Sequence, residues 1–320
     1  AVDARRILKA TATPGKNFKG TLPASVAKQG AGLVNIKNAI AVQTVVSPEN
    51  IQLLDTPHFA GKSIQVKLKN VGKKTVTYIL THEAAESVVS YRGGNTFPLP
   101  TPFLEKDAAK VKFSATKLTI KPGQLGRVKV QFTEPSTGKA AEFPIYSGYI
   151  VATPSGKGGI PVRIPYAGLK GDLSKVPLFD AKFPGAVEIG ANPNNLTPVT
   201  KGQKLSFSQI VAVSARLGSH TPELRFTLVE KASGKTVGYL STDVGIAAFP
   251  SGRNTLVNRK NQPDTWAFRW LGGRVFPEKT SKTSVSVPAG AYKVVASAQR
   301  KNTKGAPADF EVFELAEVTL

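Results

Sequence analysis

Short runs in which apolar and polar residues alternate constrain the fold of this chain more than any other feature. In residues 64–69, Ile, Val and Leu alternate with Gln and Lys, and a second run begins at residue 76, after a turn at residues 70–72. Alternation with a period of two indicates a strand with one buried and one solvated face, and two runs joined by a short turn predict a hairpin over residues 64–80. Further runs follow about ten residues apart, as in antiparallel sandwiches. They lie at residues 111–113, 118–120, 128–132, 146–152 and 162–166.

The pattern lapses once and then returns, which suggests two domains. Residues 172–202 are rich in Pro, Gly and Asn, and form the best candidate for an interdomain linker. Alternation resumes at residues 224–228, which precede a turn at residues 232–234 and further strand patterns up to residue 320. We therefore predict a mainly β chain with two tandem antiparallel β-sandwich domains of the fibronectin type III or immunoglobulin type. Their predicted bounds are 46–171 and 203–320.

The first 45 residues have a different pattern and predict a short helical segment before the sandwiches. A helix is expected to begin near Val2 and to end before Pro14 and Gly15, because these two residues interrupt helices. A second short helix is expected after the glycines at positions 30 and 32. There, Leu33, Ile36 and Ile40 recur at helical spacing.

Composition narrows the class of protein further. The 320 residues contain no Cys, which excludes disulfides, thiolate nucleophiles and zinc-thiolate sites, and no stretch approaches the ~20 apolar residues that a bilayer span requires. We expect no targeting segment within this sequence. It also contains no Met, which favours the hypothesis that Ala1 is an internal cut site in a processed fragment.

The net charge of +22 first suggests a nucleic-acid binder, but its distribution does not. Residues 1–45, 46–171 and 172–320 carry net charges of +6, +9 and +7, so the excess is spread along the chain. No run of basic residues is longer than the pairs Lys73-Lys74 and Arg259-Lys260, and no aromatic residues interleave with these pairs. We therefore expect a generally basic surface and no specific nucleic-acid partner, and keep these four residues as candidate surface contacts.

A search for catalytic and cofactor motifs predicts no active site. The three histidines, at positions 58, 82 and 220, have no metal-ligand spacing, and the pair His82-Glu83 is expected to point to opposite faces of a strand. The chain has no G-x-S-x-G motif, and residues 156–159 lack P-loop spacing and are typical of a hairpin turn. We expect no catalytic residue, no metal and no cofactor.

Two weaker candidates for carbohydrate chemistry stay open at this point. Trp266 and Trp270 fall on one strand face and could contact a glycan, although such a stripe more often belongs to a core. Late carboxylates could form a glycosidase-like pair or a calcium site, although a strand would split them between two faces. These carboxylates are Asp309, Glu311, Glu314 and Glu317.

Several longer motifs resemble those of one known protein family. They are residues 29–40, QGAGLVNIKNAI; residues 146–150, YSGYI; residues 162–171, VRIPYAGLKG; residues 270–272, WLG; and residues 288–293, PAGAYK. The first resembles a stretch that follows the catalytic core of the secreted subtilisin-like serine proteases of the peptidase S8 family. The next two are similar to the fibronectin type III-like domain of these proteases, and the last two resemble the further carboxyl-terminal β-domain of fungal members.

This resemblance implies a secreted, non-catalytic part of such a protease. Residues 1–45 would be the helical carboxyl-terminal remnant of the catalytic domain, and residues 46–171 the fibronectin type III-like domain. The family's catalytic Asp, His and Ser motifs, including G-T-S-x-A, do not occur in this sequence. The resemblance therefore implies a module that packs on a catalytic domain and positions large substrates, with no proteolysis of its own.

A different class of function remains open beside it. A processed basic chain could act alone as a binder of anionic cell surfaces, cell walls or polysaccharides, with lectin-like, antifungal or cytotoxic effects, because its +22 charge would steer it to polyanions. Salt-dependent retention on heparin or on a cell wall would distinguish this hypothesis from an accessory module.

Overall fold

The fold consists of two compact units. The computed structural model describes residues 2–92, 98–99, 101–156, 158–180, 186–189, 211–242, 245–250, 265–301 and 303–320. The first unit comprises Ala1–Gly94 and Thr101–Asp172, and the second comprises Asn95–Pro100 and Leu173–Leu320. Both units are mainly β, as predicted. No helix in the described residues is long and apolar enough to cross a membrane.

The amino-terminal segment is helical and belongs to the first unit. Helix α1 spans Val2–Ala10, α2 spans Val26–Gln29 and α3 spans Ile36–Ala41. The predicted helices before Pro14 and after Gly32 are therefore confirmed, whereas α2 was not predicted. Its four residues are too few to show a helical period, so the pattern gave no signal for it.

Ten strands of the first unit form two sheets. Their order is β1-β3-β8-β6 in the four-stranded sheet and β2-β10-β9-β4-β5 in the other, where β7 also pairs with β4. Within the second sheet, β10 pairs with β2 in parallel and with β9 in antiparallel orientation. The strands are β1 Thr44–Ser47, β2 Ile51–Asp55, β3 Ile64–Asn70, β4 Val76–Val89, β5 Phe103–Glu105, β6 Lys110–Phe113, β7 Lys117–Ile120, β8 Leu125–Thr133, β9 Ile145–Pro154 and β10 Val162–Leu169.

The two sheets enclose one hydrophobic core. Val66 and Leu68 of β3 meet Tyr78 of β4 and Ile164 of β10 in this cluster, and all four side chains are buried. Ala10, the last residue of α1, belongs to the same cluster. Because burial of apolar area is the main favourable term in folding, α1 is held to the first unit by its core and not by chain connectivity alone.

The hairpin predicted over residues 64–80 is wrong. Strand β3 pairs with β1 and β8, whereas β4 pairs with β5, β7 and β9, so the turn at residues 70–75 carries the chain from one sheet to the other. The alternation correctly located both strands. It could not assign their partners, because a period of two reports which face is buried and not which strand lies alongside.

Two tyrosines and two glycines form reciprocal pairs in the β9–β10 ladder. Tyr146 lies opposite Gly168, and Tyr166 lies opposite Gly148. A Cβ on Gly168 would come within 2.4 Å of the Tyr146 hydroxyl, and one on Gly148 within 2.7 Å of the Tyr166 hydroxyl. Each buried ring therefore occupies the space above the glycine on the neighbouring strand.

The second unit has one ten-stranded sheet among its described residues. Its main path is β11-β12-β17-β14-β13-β19-β20, with β15 on β14, β16 on β13 and β18 on β17. The strands are β11 Ala186–Ile189, β12 Val211–Arg216, β13 Glu223–Glu230, β14 Thr236–Thr242, β15 Gly245–Ile246, β16 Ala248–Pro250, β17 Thr265–Phe276, β18 Val285–Ser286, β19 Ala291–Gln299 and β20 Phe310–Thr319.

A two-sheet sandwich over residues 203–320 is not confirmed. The twelve-residue strand β17 pairs with both β12 and β14 and so joins strands that a sandwich would separate. The strands at the two ends of the path, β11 and β20, nevertheless approach each other, so the sheet curls around a single core. Fully buried Phe226, Trp270 and Val294 lie in that core.

The linker predicted at residues 172–202 is wrong in its described part. Leu178 and Phe179 are buried in the core of the second unit, and residues 186–189 form strand β11. The Glu311 carboxylate on β20 accepts hydrogen bonds from the backbone N–H groups of Leu178 and Phe179, and lies 3.3 Å from Arg300. The segment carries too few alternating residues to show as a strand, yet these contacts build it into the unit.

We expect Glu311→Ala to lower the free energy of unfolding of the second unit by about 1–3 kcal/mol, because the two backbone donors would lose their acceptor. Urea unfolding followed by tryptophan fluorescence would measure this effect, since both tryptophans of the chain lie in β17. Glu278→Ala is the matched control, because Glu278 is exposed and its change should stay within about 0.5 kcal/mol. Equal stability of the two variants would contradict the anchoring role of Glu311.

Candidate functional site

The amino-terminal segment is folded by the polar members of its QGAGLVN motif. The Gln29 side chain accepts a hydrogen bond from the Gly15 N–H at 2.8 Å, and its amide donates to the carbonyls of Gly15 and Ala24 at 3.1 and 2.7 Å. One side chain thus joins three stretches of the segment. Because Gln can donate and accept at once, it suits this position better than a carboxylate would.

The two glycines and the asparagine of the motif each meet a local backbone requirement. Gly30 ends α2 at a φ of +61°, and Gly32 has a φ of +109°. A Cβ on Gly32 would lie 2.5 Å from the Thr13 carbonyl oxygen, so the bridge between Thr13 and Leu33 requires glycine there. The Asn35 side chain caps α3 by accepting from the Asn38 N–H at 3.0 Å.

Strand β9 anchors this segment through Ser147 and Tyr149 of the YSGYI motif, a contact that neither motif predicted. The Ser147 hydroxyl is fully buried, lies 3.2 Å from the Ser25 hydroxyl and accepts from the Val26 N–H at 3.0 Å. The Tyr149 hydroxyl donates to the Gly30 carbonyl at 3.1 Å. Burial raises the pKa of Tyr149 to about 12, so its hydroxyl remains a donor at neutral pH.

Charged side chains at the other end of the segment add a second attachment. Arg5 and Lys9 on α1 both bond the Glu49 carboxylate, with a Lys9 Nζ–Oε2 distance of 2.8 Å. Hydrogen bonds from Lys9 and then Arg5 lower the pKa of Glu49. The segment is therefore held on the first unit at both ends, and its helices have a defined orientation on that unit.

The apolar members of the same segment remain uncovered. Leu33, Val34, Ile36 and Ile40 are 79%, 54%, 58% and 81% exposed, and we call these four residues the Leu33–Ile40 surface. Ile36 and Ile40 are four residues apart on α3 and so share one helix face. Isolated exposed apolar residues are ordinary, whereas four within eight positions make this surface a candidate interaction site.

The predicted tryptophan surface is wrong for Trp270. Its side chain is fully buried in the core of the second unit, and its Nε1–H donates to the Arg274 carbonyl at 2.8 Å. Trp270 is thus a core residue and cannot contact a glycan. Trp266 lies opposite Ala215 in the β12–β17 ladder, and its side chain lies outside what the structure describes. Arg259 and Lys260 also lie outside the described residues.

Lys73 and Lys74 are exposed, as expected of surface contacts. They lie in the turn between β3 and β4, whose Asn70 side chain donates to the carbonyls of Lys74 and Ile120 at 2.8 and 3.0 Å. The Gly123 N–H in the turn before β8 donates to the Asn70 carbonyl. The turn with Lys73 and Lys74 and the turn before β8, which carries Lys121, are therefore fixed beside each other at one end of the four-stranded sheet.

The late carboxylates are engaged separately. Glu314 lies 2.9 Å from Lys293, and Glu317 lies 2.5 Å from Lys231. Asp309 accepts from the backbone N–H groups of Gly305 and Ala306, and Glu311 bonds the 178–179 backbone as described above. Within the described part of the chain, no three His, Asp or Glu side chains come together in a metal-binding group.

The histidines have local partners in the first unit. His82 Nε2 lies 2.8 Å from the Tyr166 hydroxyl, whereas its neighbour Glu83 accepts from Arg163 Nε at 3.0 Å. Burial lowers the pKa of His82. His58 Nδ1 lies 2.7 Å from the buried Asp55 carboxylate. These contacts bind strands and turns together and bring no nucleophile to a histidine.

Comparison with known families identifies the central part of the first unit. A family model described as Fn3-like domain matches residues 51–167. Residues 51–167 form an Fn3-like domain. The match begins with β2 and ends in β10, so the Fn3-like domain contains Ser147 and Tyr149, which anchor the amino-terminal segment. The segment itself and the second unit lie outside the match.

Other comparisons add little to this assignment. No curated protein compared with the chain matches it. A PapD-like domain of human CEP192 aligns at 15% identity and a TM-score of 0.28, covering 40% of this chain and 85% of that one. The class 5 fimbriae chaperone CfaA aligns at 8% identity and a TM-score of 0.30, covering 85% of this chain and 98% of that one. The E. coli chaperone DraB aligns at 10% identity and a TM-score of 0.26, covering 87% of this chain and 98% of that one. TM-scores of this size do not indicate a shared fold.

Proposed function

We propose that this chain is a non-catalytic accessory region of a secreted, fungal subtilisin-like serine endopeptidase. In this proposal, the Fn3-like domain and the second unit, a further carboxyl-terminal β-domain, help to position large protein substrates and do not hydrolyse them. The proposal combines the motif resemblance of residues 29–40 and 146–171 with the matched Fn3-like domain.

The observation that carries the proposal is the Leu33–Ile40 surface. The polar residues of the QGAGLVN motif are used to fold the segment and fix it to β9, while its apolar residues are left in solvent. A segment that only capped the Fn3-like domain would gain stability by burying these residues inward. Their exposure suits a segment that lies between two bodies and presents its outer side to a catalytic domain.

The proposed role of the segment is therefore that of a connector. Its attachments to Ser147, Tyr149 and Glu49 would transmit the position of a docked catalytic domain to the Fn3-like domain without a flexible joint. An accessory domain that binds substrate residues away from the scissile bond requires such fixed geometry. Binding energy at that distance aids catalysis only when the accessory domain and the active site keep a fixed relative position.

We expect Ile40→Asp to weaken binding of the chain to a subtilisin-like catalytic domain by about tenfold or more, because a docked Ile contributes roughly 1.5–3 kcal/mol through burial. The probe is the catalytic domain of a secreted fungal subtilisin-like endopeptidase, produced without its own carboxyl-terminal domains. Isothermal titration calorimetry with the whole 320-residue chain would measure the affinity.

Val312→Asp is the matched control, because Val312 is 62% exposed on β20 and the charge change is the same. Unchanged binding of this control with weakened binding of Ile40→Asp supports the proposal. Equal loss in both variants, or absence of binding by the unaltered chain, contradicts docking through the Leu33–Ile40 surface. Hydrolysis of denatured casein by the homogeneous chain would contradict the non-catalytic role.

A further inference from the structure

The outer face of the four-stranded sheet carries a row of basic side chains. In β3, β6 and β8, apolar residues such as Val66, Val111 and Val130 point to the core, so the residues between them point outward. Six of those outward residues are cations, and five of the six are exposed, with Lys67 half-buried. The six, which we call the basic stripe, are Lys67, Lys69, Lys110, Lys112, Arg127 and Lys129.

The register places these six cations on one diagonal. Lys67 lies directly opposite Arg127, and Lys69 follows on the same face of β3. On the other side of β8 lies β6, where Lys112 is opposite Gln131 and Lys110 is opposite Thr133. Gln131 follows Lys129 on the same face of β8. With about 3.4 Å per residue and roughly 4.8 Å between strands, the stripe runs about 27 Å along the strands and crosses three of them.

The basic stripe has no ion-pair partner among the residues that the structure describes. The four strands of this sheet contain no Asp or Glu, and none of the six cations forms an ion pair among the described residues. Like charges opposite each other destabilise a sheet, as at Lys67 and Arg127. Lysines on the edge strand β6 could serve to prevent aggregation, but β3 and β8 are central strands, where that explanation does not apply.

The stripe continues into the turns at one end of the sheet. Lys69 is followed by the turn that carries Lys73 and Lys74, and the neighbouring turn before β8 carries Lys121. The hydrogen bond between Gly123 and Asn70 holds these turns together. All three turn lysines are exposed, so a continuous positive surface extends from β6 to this end of the sheet.

We propose that the basic stripe binds a linear acidic polysaccharide, with carboxylate or sulfate groups along its length. The flat, extended row of point charges complements an extended polyanion, whose negative charges would also relieve the repulsion within the sheet. This inference goes beyond the proposed accessory function and is independent of docking at the Leu33–Ile40 surface.

Two other anionic partners fit the stripe less well. Single-stranded nucleic acids are held by aromatic stacking as well as charge, and the outward positions of β3, β6 and β8 contain no aromatic residue. Both nucleic acids and phospholipids present phosphate groups. Bidentate recognition of phosphate favours arginine, whereas five of the six cations in the stripe are lysines. Stable membrane attachment adds apolar insertion to charge, and on this face Leu125 is only 39% exposed.

The test uses the whole chain, heparin of defined length as the polyanion, and the triple variant Lys69→Gln, Lys112→Gln and Lys129→Gln. If the stripe is the site, the slope of log K against log salt concentration should fall by about three for this variant, because three counterion-releasing contacts are removed. The three positions are exposed and Gln fits a strand face, so folding should be retained and circular dichroism would verify it.

The matched control is Lys235→Gln, Lys282→Gln and Lys304→Gln, three exposed lysines of the second unit, with the same change in net charge. An unchanged slope in the control and a reduced slope in the stripe variant support the inference. Equal slopes in both variants, or no binding at low salt, overturn it. Tighter stripe-dependent binding to single-stranded DNA or to phosphatidylserine vesicles than to heparin would overturn the choice of a polysaccharide.

Discussion

Trp270→Ala is expected to lower the free energy of unfolding of the second unit by about 3–5 kcal/mol. The side chain is fully buried among residues of β12, β13, β17 and β19, so its removal leaves a large cavity in the core around which the sheet curls. The loss also frees the Arg274 carbonyl, which accepts from the indole N–H at 2.8 Å. Urea unfolding followed by the fluorescence of Trp266 would measure the change.

Two further variants make this result interpretable. Trp270→Phe keeps most of the ring volume and loses the N–H donor, so its destabilisation should be smaller than that of Trp270→Ala. Val312→Ala removes an apolar side chain that is 62% exposed, and should change the unfolding free energy by about 0.5 kcal/mol or less. A Trp270→Ala variant as stable as Val312→Ala would show that Trp270 is not a core residue.

Gly168→Ala is expected to destabilise the first unit by about 3 kcal/mol, at the upper end of the usual cost of overpacking. The added methyl group would lie 2.4 Å from the hydroxyl oxygen and 2.5 Å from Cζ of Tyr146, a ring that is itself fully buried. Neither the ring nor the β9–β10 ladder can shift without breaking the register. Hydrogen exchange of peptides from β9 and β10 would measure the loss of stability.

A double-mutant cycle with Tyr146→Leu tests the cause. The shorter side chain removes the atoms that clash, so Gly168→Ala should cost less in that background than in the unaltered chain. Gly15→Ala is the control within the first unit, because its Cβ would meet only the Gln29 side chain, at 3.6 Å. Additive effects of Gly168→Ala and Tyr146→Leu would show that the ring is not what excludes a side chain at position 168.

Much of the strand content could be predicted because alternation is a local property. Residues 64–69, 128–132 and 224–228 lie in the strands β3, β8 and β13, and the turn at residues 232–234 joins β13 and β14 as a hairpin. The pairing of β3 was mispredicted, because a partner strand can lie far along the chain. The segment at 176–179 was also missed, since its burial depends on Glu311, more than a hundred residues later, and on a core built from strands that follow it along the chain.

The candidate sites show the same limit. The QGAGLVN and YSGYI motifs drew attention to residues 29–40 and 146–150, but neither showed that Ser147 and Tyr149 hold the segment to β9. Charge counting by region found +6, +9 and +7 and no cluster. Strand pairing then brought Lys67, Arg127 and Lys112 together from positions up to sixty residues apart.

Local order along the chain thus follows from the amino-acid sequence: the period of two in β3 and β8, the end of the first helix before Pro14, and the alternation that sends Lys67 and Lys69 to one face. These features depend only on neighbouring residues and backbone sterics. Which strands meet, which apolar residues stay exposed at positions 33–40 and which cations share a surface depend on long-range burial. A folded structure is needed to reveal them, because the hydrophobic effect has no direction and selects partners only by how well distant segments pack.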